Sequence, residues 1–171
     1  MSGRLARAEQ TVQVAIAPEQ LRRIAELTRR ANELERQITT LVREQAAPLL
    51  ALPGCGALTA AKLVAETGGA SRFRNQAQLA MHAGVAPLDA SSGQHKRHRL
   101  NRTGNRQLNC AIHRIAVTQG RCHEPARAYL ARKRLEGKSR REALRCLKRH
   151  LARTIYTTMR KIEAQIEPPL T

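Results

Sequence analysis

The chain has 171 residues, 42% of them hydrophobic, and contains two tyrosines, one phenylalanine and no tryptophan. With so few aromatic residues the core must be built from Ala, Leu, Ile and Val, which suits close-packed helices and argues against an all-β sandwich. The formal net charge of +18 is typical of a protein that binds a polyanion, and it favours DNA or RNA as the partner. No stretch approaches the roughly 18 to 20 apolar residues of a membrane-spanning helix, and no signal peptide opens the chain, so we expect a soluble cytoplasmic protein without a membrane partner.

The first long predicted element is a helix over residues 19–46, a stretch that contains neither Gly nor Pro. Its apolar residues form a coiled-coil-like seam over three heptads, with Ile24, Ala31 and Ile38 at one position and Leu27, Leu34 and Leu41 at the other. A lone amphipathic helix is unstable, so this one packs on its own domain or dimerises with a second copy. The pattern leaves both alternatives open. Pro18 is predicted to begin the helix, after weak strand-like alternation at residues 11–17.

The next segment, "LPGCGALTAAKLVAETGG", predicts a tight turn followed by a helix. Gly54 and Gly56 lie in the turn, and the helix should end at Gly68 and Gly69. The pattern is that of a helix-hairpin-helix, in which backbone N–H groups at the start of the second helix approach a DNA phosphate. The alternative is an ordinary turn between two core helices. The candidate DNA contacts in this segment are Gly54, Gly56, Thr59 and Lys62.

The rest of the chain is predicted to be helical except around residues 85–104, which should form an extended loop or a short hairpin. A short helix is expected from Asn75 to His82, and a longer one after Gly104 that stops at Gly120. A further helix follows near residues 124–137, and Ser139 with Glu142 forms a capping box before a long amphipathic helix. The fold class is therefore mainly α. We divide the chain into a truncated or flexible segment at 1–18, a coiled-coil-like helix at 19–47, a compact helical domain at 48–164 and a tail at 165–171.

The four cysteines are scattered, with no C-x-x-C pair, and predict free, buried thiols and no metal site. Cys122 and His123 could supply two metal ligands, but no second pair at ligand spacing accompanies them.

The chemistry is expected in the loop "PLDASSGQHKRHRLNRTGNR", residues 87–106, where Ser91 and Ser92 precede a glycine. The basic residues of this loop are Lys96, Arg97, Arg99, Arg102 and Arg106, and two histidines, His95 and His98, lie among them. A serine attacks a phosphate only if its deprotonation is assisted and the developing charge is stabilised, and these side chains could do both. On the residues alone, the loop is more simply a basic one that grips phosphates, with the serines as incidental hydrogen-bond donors.

Three motifs, "LPGCGALTAAKLVAETGG", "RFRNQAQLAMHAGVAP" and "SSGQHKRHRLNRTGNRQLN", together with the helices beyond them, resemble the C-terminal transposase domain of the IS110/IS116/IS902 insertion-sequence family. The resemblance runs from about residue 48 to at least residue 150. It implies a serine nucleophile that joins covalently to DNA, and the Ser-Gly match assigns this role to Ser92, with Ser91 as the next choice. It also implies that Lys96 through Arg106 contact DNA around the cleaved phosphate, that the helix at 19–46 associates with another subunit, and that a structured guide RNA is a partner.

The sequence departs from this family in its acidic residues. Full-length members carry an RNase-H-like domain in which four acidic residues hold divalent metal, whereas Asp89 is the only aspartate here. We therefore expect no cofactor bound by this chain, and Mg²⁺ only with the RNase-H-like domain. The sequence is interpreted as the DNA-binding, serine-containing half of a transposase or recombinase, which binds DNA but does not transpose it alone. The alternative is a non-enzymatic helix-hairpin-helix protein that binds nucleic acid.

Overall fold

The computed structural model describes residues 12–89, 98, 99, 101 and 103–166, apart from the side chains of residues 12–15. This part of the chain contains seven helices and one two-stranded sheet, which confirms the mainly α class. The elements are α1 (Val12–Gln45), α2 (Ala47–Leu50), α3 (Ala57–Thr67), α4 (Gln76–His82), β1 (Leu88–Asp89), β2 (His98–Arg99), α5 (Arg106–Cys122), α6 (Glu124–Leu135) and α7 (Arg140–Ile166). The chain divides into two units, residues 1–40 and residues 41–171.

The long first helix is confirmed, but it begins earlier than the sequence predicts. It starts at Val12 and passes through Pro18, so the strand-like alternation before Pro18 does not give a strand. A proline inside a helix removes one backbone hydrogen bond, and here the helix continues on both sides of that gap. The seam side chains of this helix are exposed, with 58% of Ile24 and 51% of Leu34 accessible to solvent.

The core of residues 41–171 lies where α5 crosses the other long helix, α7. Helix α5 also packs against α3 and α6, while α7 packs against α2, α4 and α6. The side chains at the centre are aliphatic, as expected from the composition, and Leu108, Ile112, Ile115 and Ile155 are fully buried.

Three helix ends in this unit follow the predicted signals. Ser139 and Glu142 form the capping box, in which the backbone N–H of Ser139 donates to Glu142 Oε2 at 2.9 Å and the Glu142 N–H donates to Ser139 Oγ at 3.3 Å. Helix α3 ends at Gly68, which adopts the left-handed conformation with φ of 59°. Asn75 caps α4, and its Oδ1 accepts from the backbone N–H groups of Ala77 and Gln78.

Gly120 does not stop α5, contrary to the prediction, because the helix continues to Cys122. A Cβ at this position would lie 3.1 Å from Leu130 Cδ1, so the glycine allows α6 to approach α5 closely. The expectation of buried thiols is also only partly met. All four cysteines are free, but Cys55 alone is buried, and burial raises the pKa of its thiol to about 11. Among the described residues, no helix is long and apolar enough to cross a membrane.

Candidate nucleic-acid interface

The predicted loop or hairpin is a hairpin in the part that the structure describes. Strands β1 and β2 pair antiparallel, with Leu88 opposite Arg99 and Asp89 opposite His98. This pairing brings together the two chain ends of the segment 90–97. The candidates Ser91, Ser92, His95, Lys96 and Arg97 belong to that segment and lie outside the described residues, as does Arg102.

Asparagine side chains hold the outgoing end of this hairpin on α4. Asn101, only 5% exposed, donates from Nδ2 to the carbonyl of Met81 at 3.3 Å. Its Oδ1 accepts from the backbone N–H and the hydroxyl of Thr103, at 3.0 and 2.7 Å. The backbone N–H of Asn105 donates to the carbonyl of His82 at 2.7 Å. These bonds fix the position at which the chain leaves the hairpin and enters α5.

A close backbone crossing reinforces this anchor. A Cβ at Gly104 would overlap the backbone N and Cα of Gly84, which itself has φ of 64°. Next to the crossing, Asn109 Nδ2 donates to the carbonyls of Ala83 and Gly84 at 2.9 and 3.1 Å. The residues of "NRTGN", which the sequence analysis grouped with the DNA-contacting loop, therefore include several whose contacts are structural.

The two glycines of the turn before α3 have different roles. Gly54 has φ of 81°, and a Cβ there would lie 2.8 Å from Thr118 Cβ, so packing on α5 and backbone conformation both require this glycine. The nearby Gln119 Nε2 donates to the carbonyl of Pro53 at 2.8 Å. Gly56 has an ordinary φ of −77° and nothing within 4 Å of a Cβ built on it. Packing therefore explains Gly54 but not Gly56.

Gly56 is the N-cap of α3, and no side chain caps this helix. The first N–H groups of a helix have no partner within the helix, and the helix dipole makes this end positive. Thr59 is half-buried in the first turn. The open start of α3 is thus the part of the turn that suits contact with an anion.

Lys62 and Arg106 lie at the other end of α5 from this turn. Lys62 Nζ donates to Gln107 Oε1 at 2.8 Å, and Arg106 is the exposed first residue of α5. The first turn of α5 holds no acidic residue, and a cation at a helix N-terminus is unfavourable unless an anion approaches it. From Arg106 to Thr118, which contacts Gly54, the helix rises about 18 Å. The candidate contacts therefore form two groups, one at each end of α5.

A pocket of about 420 Å³ lies against the hairpin base. It is bounded by residues 84–87, by strand β2 and by side chains of α6 and α7. Among the described residues, six lysine and arginine side chains and His98 line it, against one carboxylate, that of Glu142. Arg99, a sequence-predicted contact, is one of the six. The pocket is therefore strongly basic.

A match with a protein-family model identifies the class of protein to which this arrangement belongs. Residues 46–131, half of the chain, match the model of the IS116/IS110/IS902 transposase family. The chain belongs to this family. The matched range contains α2 to α5, the hairpin and most of α6, and it ends before α7.

Curated relatives from insertion elements agree with this membership. The chain is 36% identical over 131 residues to an uncharacterised 43.6 kDa protein of insertion element IS110 from Streptomyces coelicolor, covering 74% of this chain and 32% of the relative. It is 31% identical over 138 residues to an IS116 protein from Streptomyces clavuligerus, covering 78% of this chain and 34% of the relative. A pilin gene-inverting protein of Moraxella bovis is 28% identical over 139 residues, which are 76% of this chain and 43% of that protein. The chain thus spans about a third of the length of its IS110 and IS116 relatives.

Neither the family resemblance nor the residue pattern singles out Lys148 of α7, which lies beyond the range of the family model. Lys148 lines the basic pocket, is 7% exposed and donates from Nζ to Asn109 Oδ1 at 2.6 Å. Burial lowers the pKa of this amine, and its charge contributes, after burial, to the lowered pKa of His113. The signal was present in the sequence, because Lys148 lies on the apolar stripe of α7 between Leu147 and Leu151.

Proposed function

We propose that this chain is the DNA-binding, serine-containing part of an IS110-type transposase or recombinase, and that Ser92 is its nucleophile. The main support is the hairpin whose strands precede and follow the Ser-Gly segment in the chain, because its base is anchored on α4 beside a basic pocket. Membership of the transposase family supplies the reaction class.

In the proposed reaction, the Ser92 hydroxyl attacks the phosphorus of a DNA phosphodiester. An Oγ–P bond forms as the bond between phosphorus and one deoxyribose oxygen breaks, and the serine proton ends on that leaving oxygen as a free hydroxyl. A hydroxyl of a second strand then attacks the phosphoserine and returns the proton to the serine. One phosphoester replaces another at each step, so strand exchange needs no high-energy cofactor. His98 is exposed on β2, at the end of the serine segment, and is a candidate for carrying the proton.

The carboxylates that the structure describes form no cluster that could hold a magnesium ion. Asp89 is the only aspartate, and several glutamates already bind other groups. Glu66 accepts from Asn105 Nδ2 at 2.7 Å, Glu142 caps α7, and Glu163 accepts from the backbone N–H groups of residues 70 and 71. A Mg²⁺ site needs several convergent oxygen ligands. We therefore assign any metal to the RNase-H-like domain that the resemblance implies.

Three partners belong to the proposal: DNA, a structured guide RNA and a second copy of this chain. DNA is supported by the net charge of +18, by the open start of α3 and by the basic pocket. The guide RNA depends on the family resemblance alone. The second copy is supported by the exposed seam of α1, because Leu27, Leu34 and Leu41 are each about half accessible.

The test is a covalent protein–DNA adduct that survives denaturation. The probe is duplex DNA carrying the ends of the insertion sequence, incubated with this chain alone and with this chain joined to an acidic RNase-H-like domain. We expect the adduct only in the joined protein. Ser92→Ala should abolish it and leave DNA affinity nearly unchanged, because a nucleophile is lost and no charge is altered. Ser91→Ala is the matched control and should keep most of the adduct.

The opposite result, loss with Ser91→Ala and retention with Ser92→Ala, would transfer the role to Ser91. Absence of an adduct in both forms, with DNA binding intact, would favour the second candidate function: a non-enzymatic helix-hairpin-helix protein that binds nucleic acid. The observation in favour of that candidate is the uncapped start of α3 at Gly56, which suits a phosphate without any chemistry.

A further inference from the structure

Lys148 is a buried lysine that forms no ion pair with a carboxylate of the described residues. Within the part of the chain that the structure describes, its ammonium group donates one hydrogen bond, to the neutral amide of Asn109. Buried charges in proteins are normally paired, since an unpaired one loses its hydration without compensation. Burial favours the neutral amine, and a ligand that brings a negative charge into contact with it would restore the charged form.

The surrounding pocket has the charge expected of a site for that ligand. Lys133 is paired with Glu136 at 2.8 Å, and Arg145 lies 3.8 Å from Glu142. The other four basic lining residues, Arg99, Lys138, Lys148 and Arg149, form no salt bridge within the described part of the chain. The volume of about 420 Å³ accommodates a group of nucleotide size.

Asn109 connects this pocket to the hairpin base. The same side chain accepts from Lys148 Nζ and donates to the carbonyls of Ala83 and Gly84. Gly84 lines the pocket and crosses the backbone at Gly104, just after the hairpin. The ammonium group is therefore held at a fixed place relative to the strand that leads out of the serine segment.

We propose that this pocket binds a phosphodiester of the DNA strand that reaches the hairpin, with Lys148 as its inner ligand and Arg99 and Arg149 around it. The pocket is a positioning site, because it holds a phosphate beside the reacting one and takes no part in bond making. It rests on the proposed function only in taking DNA as the partner. Ammonium and guanidinium groups suit a phosphodiester, which carries a negative charge at neutral pH.

The experiment compares Lys148→Met with Lys161→Met in the 171-residue chain. Both variants remove one lysine of α7, but Lys161 is exposed and does not line the pocket. Affinity for a fluorescent duplex is measured by anisotropy from low to high salt, and thermal unfolding is measured without DNA. Lys148→Met should weaken binding about tenfold or more and reduce the salt slope by about one. Lys161→Met should change affinity by less than about threefold.

Unfolding separates a binding role from a structural one. Methionine fills the space of the lysine and removes the unpaired charge, so the unfolding midpoint of Lys148→Met should stay within about 2 °C of wild type or rise. If Lys148→Met does not fold, Lys148→Gln, which retains a donor for Asn109, replaces it with the same expectation for affinity.

A lower unfolding midpoint with unchanged affinity would show that Lys148 is structural and would overturn the inference. Equal losses of affinity in Lys148→Met and Lys161→Met would show that Lys148 acts only through the net charge of the chain, which would also overturn the inference. Inorganic phosphate at millimolar concentration serves as the other probe. If it raises the wild-type midpoint while Lys148→Met leaves duplex affinity intact, the pocket takes free phosphate and no DNA strand. The proposed function is tested separately, because its readout is the Ser92-dependent adduct.

Discussion

A substitution at Gly56, the open start of α3, should change the stability of the protein and its affinity for DNA in opposite directions. Gly56 is the N-cap, its φ of −77° suits any residue, and a side chain there meets no neighbour within 4 Å. Gly56→Asp should supply a cap that accepts from the first N–H groups of the helix. Replacing a glycine cap adds a few tenths of a kcal/mol, and a negative charge at the helix N-terminus adds about 0.3–1 kcal/mol. The unfolding midpoint should rise by about 2–4 °C.

The same carboxylate occupies the N–H groups that the proposal assigns to a phosphate and repels that phosphate. Loss of hydrogen bonds to a charged group is worth about 1.5–3 kcal/mol, so duplex affinity should fall about tenfold or more. Gly56→Asn is the matched control, since it caps equally well without charge and should bind DNA more tightly than Gly56→Asp. Anisotropy and thermal unfolding give the two quantities. A higher midpoint with wild-type affinity in Gly56→Asp would refute phosphate binding at this turn.

Three predictions concern association, the salt dependence of DNA binding and the basic hairpin. Leu34→Glu places a charge in the exposed seam and should convert a dimer or larger assembly into monomers. Asn32→Glu adds the same charge off the seam and should leave the assembly intact. The measurement is sedimentation at tens of micromolar, and a monomeric wild-type chain would contradict the prediction. Duplex binding should weaken steeply with salt and differ by less than about tenfold between element-end and random DNA. Replacing Arg97 and Arg99 together by alanine should reduce the salt slope by about two, and an unchanged slope would place the hairpin away from DNA.

The parts of the fold that were predictable from sequence are those in which one local signal decides the structure. The capping box at Ser139, the turn at Gly54 and the left-handed end at Gly68 follow from short-range hydrogen bonding and backbone conformation. The mainly α class follows from an aliphatic core. The helix start at Val12 was missed because Pro18 is typical of a first turn, and nothing local shows that a helix continues before it. Gly120 was misread because its partner, Leu130, becomes a neighbour only through packing.

The sequence predicts which segment forms the candidate site, but it does not predict the contacts that the residues of this segment make. Asn101 looks like a polar residue of the DNA-binding loop, and Asn109 like a polar residue of the helix that follows it. Only the tertiary structure shows that both donate to carbonyls of α4 or of the turn after it. Gly104 is needed because another backbone crosses it, which a single sequence does not reveal. Lys148 could have been noticed as a cation on an apolar stripe, yet its pocket forms only when α7 packs beside the hairpin. Local sequence signals predict where helices and turns lie, whereas a pocket of this kind is formed by helices and strands that are distant in the chain.

Helix α5 connects the turn before α3 with the base of the hairpin. Thr118, near its C-terminal end, packs against Gly54 of the α3 turn, while its N-terminal half carries Asn105 and Asn109 at the hairpin base. Phosphates along one strand of B-form DNA are about 3.4 Å apart along the helix axis, so the 18 Å or so between Arg106 and Thr118 spans about five of them. A duplex that contacts both ends of α5 would be positioned relative to the serine segment by two separate contacts. Nucleophilic attack depends on placing the reacting phosphate to within about an ångström, and contacts on one rigid helix achieve this more reliably than a mobile loop would. If the proposed function is correct, the basic hairpin would carry the nucleophile, and α5 would determine which phosphate meets it.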